Sequence, residues 1–192
     1  MKDIFYICFF TVIIFIMLPF SSVCAQEHKG RGLPARLFQE KGAGYTIEYP
    51  GDWVYERSAD NVTFIFSGPS GTKAYHSTVS IQNLLSEKSK AGKYRDPDAV
   101  VNDLLSLFEK QNGFTKSAVK PFTYSKGPLR LTGKQFSVEY SVDKHVFRQW
   151  VIVLPRPRGE IFHVWFYTSP TAQYDEFAGI ARAMLDSWII LE

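Results

Sequence analysis

Residues 129–168 read LRLTGKQFSVEYSV, DK, HVFRQWVIVL, PRPRGE and IFHVWFYT in succession, and this stretch decides the fold. Leu129–Val142, His145–Leu154 and Ile161–Thr168 are rich in β-branched and aromatic residues that alternate with period two, the signature of strands. Taking Asp143-Lys144 as a two-residue hairpin turn and Pro155–Glu160 as a six-residue loop sets a register. Glu139 then faces Arg148, Ser137 faces Trp150, Trp150 faces Trp165 and Ile152 faces His163. One side of the three strands collects Phe136, Val138, Tyr140, Phe147, Val151, Val153, Phe162, Val164 and Phe166. The other collects Glu139, Arg148, Trp150, Ile152, Leu154, Ile161, His163, Trp165 and Tyr167. Large apolar side chains on both sides predict a sheet covered on both sides.

Working outward, Tyr45–Tyr49, Trp53–Tyr55, Val62–Ser67, Ser77–Leu84 and Lys116–Tyr124 also read as strands. Between them, Ser86–Arg95 carries four basic residues without periodicity and reads as a mobile basic loop. It ends at Asp96-Pro97-Asp98, a helix-start signal, and Val100, Val101, Leu104, Leu105 and Phe108 form one apolar stripe before Asn112-Gly113. A second helix opens at Ser169-Pro170, with Tyr174, Phe177, Ala178, Ala181, Met184, Leu185 and Trp188 on its buried side. The fold class is therefore α+β: an antiparallel sheet sandwiched between helices, spanning residues 45–192 as one domain. Residues 26–44, with five glycines or prolines, read as a flexible leader with at most one turn around Ala35–Gln39.

The segment Gly44–Trp53, GYTIEYPGDW, resembles the opening of PsbP-type domains, where an aromatic strand ends in a Tyr-Pro-x-x-Trp turn. Val62–Gly68 fits that family's next strand, and Leu185-Asp186-Ser187-Trp188 is similar to its closing element, where Ser-Phe is usual. The likeness runs from about Tyr45 to Ile190 and implies an α/β/α sandwich. It also implies a binding or accessory role. Known members include extrinsic subunits of photosystem II that help retain calcium and chloride, and exported bacterial proteins; related folds act as protein-binding modules or chaperones. No catalytic motif carries over to this chain. Its start is rich in Phe and Ile rather than the Ser and Arg of a plant transit peptide, which points to an exported bacterial relative.

Ile4–Phe20 is almost wholly apolar and leads to Val23-Cys24-Ala25, a signal-peptidase spacing with cleavage before Gln26. An uncleaved anchor and a lipidated Cys24 stay open, and membrane association is expected only in those two cases. Both cysteines, Cys8 and Cys24, lie in this segment, so the mature chain has no thiol for disulfides, cysteine catalysis or Cys-based zinc. Composition (45% hydrophobic, 21% charged, net charge +3) indicates one globular domain and no nucleic-acid partner.

Of the four histidines, His28 lies in the leader and His76 beside the Gly68–Gly71 turn. The proposed register keeps His145 and His163 more than about 20 Å apart, too far to share a metal. Asp143 and His145 read as a solvated turn, Gly68–Lys73 lacks phosphate-loop spacing, and Asp175 and Glu176 suit a helix N-terminus. No catalytic, cofactor or metal site is assigned, and no cofactor is expected. The candidate partner-binding residues are Arg148, Trp150, His163, Trp165 and Tyr167: core where a helix covers them, hot-spot chemistry where they lie open. The resulting expectation is an exported, non-enzymatic binding or accessory module of the cell envelope, periplasmic or secreted, with a protein partner. The alternatives are a small-ligand or cation carrier and a hydrolase with an unrecognised site.

Overall fold

The computed structural model describes residues 33–59 and 62–191; the expected signal segment lies outside them. Eleven strands and two helices follow in order: β1 Arg36–Gln39, β2 Tyr45–Tyr49, β3 Val54–Arg57, β4 Thr63–Ser67, β5 Thr78–Leu85 and α1 Pro97–Phe108. Then come β6 Asn112–Lys116, β7 Lys120–Lys126, β8 Leu129–Val142, β9 His145–Pro155, β10 Ile161–Pro170, α2 Tyr174–Ser187 and β11 Ile189–Ile190. The large sheet runs β3-β4-β5-β10-β9-β8-β6, with β7 also paired to β8, and a three-stranded sheet runs β1-β2-β11. All the strand pairings are antiparallel. No helix among the described residues is long and apolar enough to cross a membrane.

The sandwich forms because β9 and β10 are apolar on both sides. On one side α1 packs its whole stripe, Val100 to Phe108, against Phe136, Val138, Tyr140, Val151, Val153, Phe162, Val164 and Phe166. Asp96 starts that helix, its carboxylate accepting the Ala99 N–H at 2.8 Å, with Pro97 at the first position. On the other side α2 and the small sheet together cover Ile152, Leu154, Trp165 and Tyr167. The division of β8, β9 and β10 side chains between the two faces matches the alternation in the sequence.

The closing element is a latch. Trp188, fully buried just after α2, packs against Tyr45, Tyr124 and His163 with ring centroids 5.9–6.2 Å apart. The Tyr124 hydroxyl donates to the Trp188 carbonyl (3.1 Å) and accepts the Ile190 N–H (2.9 Å), which sets β11 beside β2. Ser187 accepts the Glu48 N–H at 2.9 Å, fastening the helix end to the same strand. In the Tyr49–Trp53 turn, the Trp53 N–H donates to the Pro50 carbonyl at 3.0 Å and the indole is buried.

Several details differ from the sequence reading. Pro155 extends β9, and the Arg156 N–H donates to the Ile161 carbonyl (2.8 Å), leaving only Pro157–Glu160 as the loop. Trp150 therefore pairs with Tyr167, and Leu154 with His163, a slip of two that moves no side chain to the other face. The Glu139–Arg148 and Ser137–Trp150 pairs stand as read. The expected leader contains β1, which pairs with β2 and buries Phe38; four residues were too few to show a period. The expected strand Lys116–Tyr124 is two strands, β6 and β7, laid end to end along β8. Asn112 opens β6 rather than ending a helix, and left-handed Gly113 (φ 66°) sits where the β6–β8 register shifts. At the second helix, β10 continues through Pro170 and α2 begins only at Tyr174.

Two glycines give opposite predictions. A Cβ at Gly133, in mid-β8, would lie 2.0 Å from the Val153 carbonyl oxygen, whereas one at Gly179, in α2, would meet nothing within 4 Å. Gly133→Ala is expected to lower the unfolding free energy by about 1–3 kcal/mol through overpacking. Gly179→Ala is expected to raise it by roughly 0.5–1 kcal/mol through helix propensity. Urea unfolding of the two variants beside the wild type checks both signs.

Candidate functional site

The five candidate binding residues lie on the α2 side of the large sheet, as their alternation requires, but they do not form one open patch. His163, Trp165 and Tyr167, on β10, are at most 1% exposed. Tyr167 donates its hydroxyl to the Tyr174 carbonyl at 2.6 Å, and Trp165 lies edge-on to Trp150 at 5.1 Å. Both are core beneath α2. Arg148 and Trp150, toward the start of β9 where α2 no longer covers the sheet, are half-buried.

These two side chains are held in place. Nε and Nη2 of Arg148 each stand 2.6 Å from one Glu139 carboxylate oxygen, and the guanidinium lies 5.0 Å over the Tyr174 ring. The Trp150 indole donates to the Gln135 side-chain oxygen at 3.2 Å. Beside them the junction between β6 and β7 opens a shallow groove of about 300 Å³ lined by Thr115, Lys116, Ser117, Ser137, Glu139 and Arg148. Ser117 supports its floor, its hydroxyl accepting the Ser137 N–H at 2.9 Å. Ser137 and Glu139 were legible from the register, which set them opposite Trp150 and Arg148. Thr115 and Ser117 were not, because the register shift that places them leaves no period.

At the far end of β10 the structure builds a second arrangement. Asn83 donates its amide to the Ala43 carbonyl (2.9 Å), so its oxygen faces Nδ1 of His163 at 2.7 Å. Nδ1 therefore carries the imidazole proton and Nε2 is a bare acceptor. Nε2 has no hydrogen-bond partner among the described residues, nor do the Tyr45 hydroxyl or the Trp188 indole N–H on the two rings packed against it. Burial, and then the charge of Arg156, hold the His163 pKa down at about 3.

The basic loop Ser86–Arg95 and the β9–β10 loop, which carries Arg156 and Arg158, meet at this end. Ser86 Oγ donates to the Gly159 carbonyl (2.6 Å) and Ser89 Oγ to the Glu160 carbonyl (2.9 Å), so the segment read as mobile is tied to the β9–β10 loop. Lys93 pairs with Asp103 at 2.8 Å and Arg95 with Asp96 at 3.0 Å, which neutralises half of its basic residues. Among the described residues no three or more His, Cys, Asp or Glu side chains stand together.

No protein-family model matches the chain, and no curated protein sequence matches it. Solved structures do. Cyanobacterial PsbP (CyanoP) from Synechocystis sp. PCC 6803 aligns with a TM-score of 0.56 at 9% identity, covering 86% of this chain and 96% of that one. The Ran-binding protein Mog1p of Saccharomyces cerevisiae aligns with a TM-score of 0.50 at 12% identity, covering 83% and 96%. PA94 of Pseudomonas aeruginosa aligns with a TM-score of 0.51 at 13% identity, covering 80% and 94%. The chain has the PsbP-like fold that residues 44–53 and 185–188 implied.

The His163 environment predicts a pH dependence. Its folded pKa lies below the unfolded value of about 6.5, so below that pH the unfolded chain binds a proton that the folded chain refuses. The stability from this group is complete above pH 6.5 and falls as the pH drops toward 3, by about 1.4 kcal/mol per pH unit. His163→Gln, which keeps a donor for Asn83, is expected to remove that component; carboxylates common to both proteins cancel. Urea unfolding from pH 7 to pH 4 should show two profiles that converge toward acid, and parallel profiles would contradict the assignment.

Proposed function

We propose that this protein is an exported accessory module of the cell envelope that works by binding a protein partner rather than by catalysis. Export rests on the apolar run Ile4–Phe20 followed by Val23-Cys24-Ala25. A binding role is supported by the fold, which is shared with a protein described as Ran-binding. The observation that carries the reading is the groove at Arg148, with half-buried Trp150 beside it, where an otherwise covered face opens. Trp, Tyr and Arg are the residue types that dominate contact energetics, and here Trp150, Tyr174 and Arg148 are packed against their neighbours and lose little freedom on contact. The half-buried Arg148–Glu139 pair keeps 36% and 35% of its side chains in solvent, so both groups can exchange partners without being stranded in the core.

Two measurements test this. A photo-crosslinking amino acid at Ser137, in the groove, should capture one discrete protein in intact cells, and Arg148→Ala should abolish the adduct. The same reagent at Asn102, an exposed position on α1, should not give it. Identical labelling from both positions, or an adduct indifferent to Arg148→Ala in a folded variant, would sink the groove assignment. Intact-mass analysis of the cell-derived protein should give a chain beginning at Gln26. A diacylated Cys24 or a retained Met1 would place the module on the membrane instead.

A further inference from the structure

The turn between β1 and β2 borders a pocket of about 510 Å³ whose lining includes Glu40, Lys41, Gly42, Gly44, Arg156 and Leu191. It lies at the opposite end of β9 from the groove, about 26 Å from Arg148 by residue count. We propose that this pocket binds a small hydroxylated organic oxyanion, a carboxylate or a phosphate ester, with its charged group on Arg156 and Lys41 and its hydroxyl satisfied by the buried acceptor of His163.

Three observations carry this. The first is charge. Neither Arg156 nor Lys41 pairs with a carboxylate among the described residues, and Glu40 already accepts the Tyr55 hydroxyl at 3.0 Å. Nε of Arg156 donates to the Leu191 carbonyl at 3.3 Å, which orients the guanidinium and leaves its terminal nitrogens as a fork for an oxyanion.

The second is space. Gly44 is left-handed (φ 80°), and a Cβ there would stand 3.3 Å from Cζ and Nη1 of Arg156 and 3.4 Å from Cε1 of His163. Gly44 and the Arg156 guanidinium line the pocket while the fully buried imidazole borders Gly44 from beneath, so only backbone without a side chain separates the pocket from the His163 ring. The third is unmet hydrogen bonding. His163 Nε2, the Tyr45 hydroxyl and the Trp188 indole N–H are one bare acceptor and two donor groups, on three rings whose centroids lie 5.7–6.2 Å apart. A buried polar group without a partner is costly, so the fold holds here a hydrogen-bonding capacity that a hydroxyl satisfies. Burial is the main influence on the His163 ring and the Tyr45 hydroxyl, and the charges of Arg156 and Glu40 act on them second.

The test uses the full-length protein in non-ionic detergent, labelled with 13C at histidine Cε1, with the His163 resonance assigned from His163→Gln. Glycerol 3-phosphate, lactate and propionate are titrated at constant ionic strength against a chloride control, with phosphatidylglycerol-doped micelles as a separate arm. Expected are saturable shifts of the His163 resonance by glycerol 3-phosphate and lactate, weakened at least about tenfold by Arg156→Gln. Lys41→Gln, on the exposed turn, should weaken them in part, and Arg158→Gln, two residues along the same loop, should leave them unchanged. Saturation by glycerol 3-phosphate assigns a free anion, and saturation by phosphatidylglycerol alone assigns a lipid headgroup; either supports the oxyanion site. Shifts that chloride reproduces, that never saturate, or that survive both Arg156→Gln and Lys41→Gln would overturn it. Equal affinity for propionate and lactate would overturn the role given to His163.

Discussion

The structure depends on the double-sided burial of β9 and β10. Val151, Ile152, Val153 and Leu154 are consecutive and fully buried, and in a strand consecutive side chains point to opposite faces. Such a strand is stable in water only inside a three-layer arrangement, and each large side chain so buried contributes roughly 1.5–3 kcal/mol. One helix supplies the first layer. The second requires cooperation between α2 and a three-stranded sheet whose strands come from both ends of the described chain. Trp188 and Tyr124 join those parts, and Trp188 belongs to the same buried cluster as Trp165.

That cover has a limited reach, and its two margins give the molecule its two features of functional interest. Beside the first residue of α2, Arg148 and Trp150 come to the surface with their side chains already ordered by Glu139, Gln135 and Tyr174. Where the small sheet ends, a glycine turn closes over His163 and leaves hydrogen-bonding groups beneath it without partners. Such groups are expensive in a core that otherwise consists of aromatic rings and aliphatic side chains. A core selected for stability alone would place apolar residues of similar volume at those positions.

Much of this was legible in the chain itself. Alternation with period two assigned each side chain of β8, β9 and β10 to its face, and that assignment survives any register slip by two, which is why the misjudged loop did no harm. The capping signal at Asp96-Pro97-Asp98 and the stripe from Val100 to Phe108 located α1 from local interactions alone. The PsbP-like opening around Tyr49–Trp53 pointed to the right fold. The elements that escaped are those whose local pattern is short or interrupted: β1, with four residues, and the outer edge of β8, split at residues 117–119.

The sequence by itself determined the class of the fold, the two faces of its central strands and the place of its first helix, because hydrophobic periodicity and end-capping act between near neighbours. Tertiary structure alone decided which part of the aromatic face is core and which is surface, since that depends on how far α2 extends over residues distant along the chain. It also decided the chemistry of His163. The proton sits on Nδ1 because Asn83 and Ala43, remote in sequence, orient one amide beside it. The ring is kept neutral first by the layers packed around it and then by the charge of Arg156. Burial and through-space charge are properties of the assembled layers, and no local pattern encodes them.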